Sequence, residues 1–252
     1  MITDGYLGKH RQGAEVAVRV PVWNRPGADR MLLPAQIVVI AKEPVPGRVK
    51  TRLTPPFTPA EAAALAEAAL TDTLTAVAGT NVARRVLALA GTPGSWLPRG
   101  FDVISQRGAG LDERIAWALT DAHVTLPLPL VLIGMDTPQV TPALLAAAAE
   151  PLVSDTADAT FGMAQDGGFW LLGLRRVDPA LVLGVPMSQP DTGARQLDRL
   201  ERAGLRIRRL PELIDVDTAA EAEHIAAITP GSEFATCMSR LRAGAQAVAG
   251  VR

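Results

Sequence analysis

The chain has 252 residues, 48% hydrophobic and 20% charged, with a net charge of −1. This is an ordinary globular composition, long enough for one α/β domain with a large core, and the near-neutral balance offers no basic field to nucleic acid. The single Cys237 excludes an internal disulfide and a cysteine metal cluster, and His10, His123 and His224 match no zinc spacing.

Residues 1–33 show no periodicity and read as a mobile arm, with Met31 just ahead of the first strand. Asp4 and Glu15 interrupt any secretory core, and no apolar run reaches the roughly 18 residues that a membrane span needs, so the expected location is cytoplasmic. Apolar runs predict strands at 36–41, 85–90, 101–105, 129–133, 158–163, 169–174 and 206–210. Thr58-Pro59-Ala60-Glu61 is a capping box with proline at the first helical position, opening an alanine-rich helix to about residue 78. Further helices are expected from Gly110 to Ala122, from Thr141-Pro142 through Glu150, from Asp191 to Ala203 and from Thr218 to Ile228. Alternating strands and helices imply a mostly parallel, doubly wound sheet. Gln165-Asp166-Gly167-Gly168 reads as a hairpin turn, which makes the sheet mixed. The expected fold class is α/β, a three-layer sandwich with helices on both faces of a mostly parallel mixed sheet. One domain at 34–229 would carry it, and the small-residue tail 230–252 is either a docked helix or a frayed end.

The most informative stretch runs from Gln36 to Leu53. A β-branched strand stops in Pro44-Val45-Pro46-Gly47, and Lys42, Arg48, Lys50 and Arg52 arrive within a few residues of the turn. A cationic loop at the carboxyl edge of an α/β sheet is placed to meet an anion, and lysine and arginine suit phosphate oxygens. The competing reading is a solvated basic turn. If the loop is extended, Lys50 and Arg52 face one way and reach the same polyphosphate.

Acidic residues fall at the same edge. Gly134-Met135-Asp136 ends a buried strand, so Asp136 either ligates a Mg²⁺ or Mn²⁺ bridging to phosphates or caps the next turn. Asp215 and Asp217 offer a second carboxylate, with Asp217 favoured, unless it caps the helix it precedes. Asp166 either meets substrate or metal, or belongs only to the hairpin turn. Gln106 follows another strand and either faces a nucleobase or sits in a plain loop. No Walker A loop, complete dinucleotide fingerprint or serine-hydrolase elbow is present.

Together Ala41-Lys42-x-Pro44-x-Pro46-Gly47-x-x-Lys50-Thr51-Arg52-Leu53, Gly134-x-Asp136-x-Pro138, Asp166-Gly167-Gly168 and Asp215-Val216-Asp217-Thr218 resemble the GT-A-type nucleotide-diphospho-sugar transferase superfamily. The likeness is strongest to its bacterial glycosyltransferase branch, related to the phospholactate guanylyltransferases. The resemblance implies a Rossmann-like (GT-A) fold binding a nucleoside di- or triphosphate or a nucleotide-sugar, with a small acceptor. It assigns Lys50, Arg52, Asp136 and Asp166 to catalysis and Asp136 and Asp217 to Mg²⁺ or Mn²⁺. Nucleotide contacts fall to Ala41, Lys42, Pro46, Gly47, Arg48, Lys50, Arg52, Gln106 and Gly134. It implies no nucleic-acid partner and leaves a homodimer open. Three functions compete: metal-dependent glycosyl transfer, favoured here; nucleotidyl transfer to a small phosphorylated acceptor; and a non-catalytic nucleotide-binding module.

Overall fold

In the computed structural model, which describes residues 32–249, the run Leu33–Lys42 forms the central strand β1. It pairs in parallel with β2 (Val82–Ala90) on one side and β4 (Leu130–Ile133) on the other. Successive side chains of a strand point to opposite faces. Ile37, Val39 and Ala41 enter one core and Val38 the other, so a strand covered on both faces reads as an unbroken apolar run. β3 (Asp102–Ser105), β5 (Ala159–Met163), β6 (Phe169–Leu174) and β7 (Ile207–Arg209) complete a seven-stranded sheet ordered β3-β2-β1-β4-β6-β5-β7. Among the described strands only β6 runs against its neighbours, through the hairpin after β5.

Helices α1 (Pro59–Gly79) and α3 (Pro142–Val153) cover one face, and α2 (Leu111–Thr125) and α4 (Thr192–Arg202) the other. The expected α/β sandwich is therefore the observed one. Thr58 and Glu61 form both bonds of the predicted capping box. β1 and β2 begin three residues earlier than expected, because Leu33 pairs with Val82 across a register irregularity that absorbs Pro34, which has no N–H to give the ladder. α3 runs past Glu150 to Val153 with Pro151 inside it. The arm expected at 1–33 lies outside the described residues but for its last two positions.

Past residue 229 the chain forms α6 (Glu233–Ala249), which packs with α5 (Ala219–Ile228) beside α1. Alanine-rich α1 is apolar on two sides for this reason. Ala63, Ala66 and Leu70 face the sheet, while Ala62, Leu65 and Ala69 face a separate cluster with Phe234 and Met238. Asp72 of α1 accepts the backbone N–H groups of Glu233 and Phe234 at 2.9 and 2.8 Å, capping α6 from outside. Deleting residues 233–252 would uncover that cluster. The expected cost is about 3–6 kcal/mol from two large buried side chains, read as a fall in urea midpoint; an unchanged midpoint would mean that α6 adds nothing to the fold. Among the described residues, no helix is long and apolar enough to cross a membrane.

Candidate functional site

β1 leaves the sheet into a loop pinned at its start by Glu43, whose carboxylate accepts the Thr92 N–H at 2.9 Å. Gly47 turns the chain at φ +74°. The next segment is not extended. Lys50 takes a left-handed conformation (φ 47°, ψ 38°), and Thr51–Leu53 make one turn of 3₁₀ helix. The cause is Leu53, which is fully buried and draws the chain back into the α1/α5/α6 cluster.

Lys50 and Arg52 nevertheless converge. The Lys50 ammonium lies 2.9 Å from Asp136 Oδ1 and 3.1 Å from Asp217 Oδ1, and Arg52 Nη1 lies 2.9 Å from Asp217 Oδ2. The Lys50 side chain is only 7% exposed, whereas that of Arg52 is 70% exposed. Burial opposes the Lys50 charge, but the two carboxylates outweigh it and hold its pKa above the ordinary lysine value. Burial likewise pushes Asp217 up, yet Lys50 and Arg52 bring it below the usual carboxylate range. Neither aspartate is a helix cap. Thr141 caps α3, and Thr218 caps α5 in a second capping box with Glu221. With capping done by threonines, both carboxylates are free to face the cations.

Asp215 joins this group. Its carboxyl is pushed up to about 7, first by burial and then by the negative charges of Asp136 and Asp166, and its Oδ1 is buried without a hydrogen-bond partner. Asp166 Oδ1 accepts the Gly168 N–H at 2.7 Å, so Asp166 does build the hairpin turn, and it also borders the cavity. That turn sits hard against the loop before α4. A Cβ on Gly167 (φ +88°) would come within 1.8 Å of the Pro190 carbonyl oxygen, and Gly193 N–H donates to Gly167 O at 2.8 Å.

These elements enclose a cavity of about 790 Å³, well within the range of small-molecule sites. Ala41, Lys42, Arg48, Lys50, Arg52, Gln106, Gly134, Asp136, Asp166 and Asp217 all border it. Pro46 and Gly47 do not; they shape the turn that carries the loop back. Gln106 Nε2 donates to Ala41 O at 2.7 Å and Ala88 O at 2.8 Å. Both its donor hydrogens are thereby spent on the backbone, leaving only its carbonyl oxygen for a ligand. Arg114 in the first turn of α2 and the loop Met187–Thr192, neither of them expected at the site from the sequence, also border the cavity. The position of Arg114 at a helix start that follows a strand end was the available signal; the loop has none.

Among the described residues, no three His, Cys, Asp or Glu side chains are arranged to hold a metal as placed. The donor chemistry nonetheless suits Mg²⁺ or Mn²⁺, which take oxygen ligands. Asp136, Asp217 and the partnerless Asp215 Oδ1 supply such oxygens around one small region.

The family model described as "Uncharacterized protein conserved in bacteria (DUF2064)" matches residues 63–189. Among solved structures, a protein of Desulfovibrio desulfuricans G20 described provisionally as a nucleotide-diphospho-sugar transferase superposes with a TM-score of 0.74 at 25% identity, over 83% of this chain and 95% of that one. The 4-diphosphocytidyl-2C-methyl-D-erythritol synthase of Anaerococcus prevotii DSM 20548 superposes with a TM-score of 0.51 at 8% identity, over 77% and 95% of the two chains. No curated protein matches in sequence. The fold is thus of the nucleotide-diphospho-sugar transferase type.

Proposed function

The chain belongs to the DUF2064 family of uncharacterized proteins conserved in bacteria, and from that premise we propose that this transferase moves a sugar from a nucleotide-sugar to a small acceptor, with Mg²⁺ or Mn²⁺ held by Asp136 and Asp217. The observation that carries the reading is the meeting of Lys50 and Arg52 with those two aspartates at the carboxyl edge of the sheet, inside the cavity. A cation bound there would neutralise the departing diphosphate. Arg52, on the open side of the group, offers a planar fork to phosphate oxygens. Gly167 and Gly168 let the hairpin backbone come close to whatever lies beside Asp166.

The distribution of charge favours glycosyl over nucleotidyl transfer. Among the described lining residues, Lys42, Arg48, Lys50, Arg52 and Arg114 come from the β1 loop and α2. The hairpin and the Met187–Thr192 loop contribute Asp166 and neutral groups. An acceptor on that side meets no cation, which suits a neutral hydroxyl-bearing molecule better than a phosphorylated one.

Arg52→Ala tests the assignment. Arg52 is exposed, so its pair with Asp217 contributes at most about 1 kcal/mol to stability, and the fold should be unaffected. Losing its bond to phosphate should weaken nucleoside diphosphate binding by about 1.5–3 kcal/mol, roughly 10- to 100-fold, and leave the bare nucleoside unchanged. Calorimetry with Mn²⁺ across a panel of nucleotides and nucleotide-sugars reads this out. Equal losses for nucleoside and nucleotide, or no loss for either, would remove the phosphate role.

A further inference from the structure

The ammonium of Lys50 stands where a divalent cation would have to stand. It lies 2.9 Å from Asp136 Oδ1 and 3.1 Å from Asp217 Oδ1. A Mg²⁺ or Mn²⁺ bound to those same oxygens sits at about 2.0–2.2 Å from them. Two cations cannot share that space, so Lys50 and the metal are alternatives.

Lys50 is also not a side chain that drifts aside unaided. It is nearly buried, and its backbone is held between Val49 (8% exposed) and the fully buried Leu53. Its backbone is left-handed, a conformation that most residues avoid. Should the ammonium leave without a new anion, it loses both of its ion-pair partners. Should it stay, a metal meets a positive charge in van der Waals contact. A diphosphate arriving in the cavity resolves both problems, because it gives Lys50 a new anionic partner while the metal takes over the aspartates.

We propose that Lys50 is a built-in counter-ion that occupies the Asp136–Asp217 pair until a diphosphate arrives, so that metal and diphosphate bind cooperatively and neither binds well alone. The inference rests on the metal-dependent reading above and adds an order to it: the protein excludes free metal and admits it with the substrate. Arg52 pairs with the other oxygen of Asp217, Oδ2.

Thermal melts with MnCl₂ and sodium pyrophosphate, singly and together, test this on the wild-type protein. The melting temperature should stay flat with either ligand alone and rise with both. Lys50→Met, which keeps length and apolar bulk but removes the charge, should be stabilised by MnCl₂ alone, with Mn²⁺ affinity by calorimetry at least about tenfold tighter than wild type. Lys50→Arg, which keeps the charge, should gain no such stabilisation from MnCl₂ alone. A wild-type protein stabilised by MnCl₂ alone as strongly as by the pair would overturn the counter-ion role while leaving metal binding intact. If neither wild type nor Lys50→Met responds to Mn²⁺ under any combination, the aspartates do not hold metal, and both the counter-ion role and the metal-dependent reading fall. Should Lys50→Met not fold, the wild-type melts decide the question by themselves.

Discussion

Asp136→Asn is expected to weaken Mn²⁺ binding in the presence of a nucleoside diphosphate by on the order of 100-fold, with little change in melting temperature. One unit charge acting on another at about 4 Å is worth about 4 kcal/mol at an effective dielectric near 20, and a divalent ion doubles it. The side chain of Asp136 is 38% exposed. Solvent screening and the oxygen that asparagine retains reduce the net loss to about 3 kcal/mol, which corresponds to the expected factor. Stability should hold because two effects oppose. Lys50 gives up one of its two partners but keeps Asp217. Asp215 is at the same time relieved of a neighbouring negative charge that, after burial, helps push its carboxyl up. Calorimetric titration of Mn²⁺ into wild type and variant, each with nucleoside diphosphate, measures the difference. Equal affinities would return Asp136 to a purely local role.

The largest effect on the fold is expected from Trp170→Ala. Trp170 is 2% exposed in the core beneath α1 and α3, on the one antiparallel strand. Its Nε1 donates to Pro211 O at 3.0 Å, and its ring fills the space over Gly162, where a Cβ would come within 2.3 Å of the indole nitrogen. Truncating a buried tryptophan costs about 3–5 kcal/mol. For a domain of this size that is roughly 6–20 °C in Tm, a large share of the typical 5–15 kcal/mol total. The Pro211 bond ties β6 to the segment that leads on to Asp215 and Asp217, so nucleotide affinity should fall with stability. Trp170→Phe keeps most of the apolar burial but leaves the Pro211 carbonyl without its donor, and should cost only about 1–3 kcal/mol. Urea unfolding separates the two variants. Similar small losses in both would show that the site over Gly162 collapses around the missing ring.

The acidic and basic residues of the site were legible as candidates from where they fall along the chain. Lys50 and Arg52 stand in the cationic loop after the first strand, Asp136 at the end of a buried strand and Asp217 at a loop-to-helix junction. What local pattern left open was what each one does there. The capping of α5, which Asp217 had as an alternative, falls to Thr218, and the Asp136 carboxylate turns to Lys50. Gln106, a candidate for base contact, turned out to clamp the ends of β1 and β2 through Ala41 O and Ala88 O. Asp166 shows the opposite case: its turn role follows from Asp-Gly-Gly alone, while its place beside the cavity follows from the packing of Gly167 on Pro190.

By itself the sequence determined the local features: the alternation of strands and helices, the capping box at Thr58, the hairpin at 165–168 and the turn at Gly47. Each of these depends on backbone preferences and hydrogen bonds among residues a few positions apart, so a short window contains its cause. Only the tertiary structure decided that β4 lies beside β1 and that β6 reverses between β4 and β5. The same holds for the docking of α6 on α1 through Asp72, and for the meeting of Lys50 with Asp217, 167 positions away. Those outcomes depend on strand order and on which apolar faces cover one another. A buried ammonium between two carboxylates is stable only where that packing has already excluded water and brought all three together.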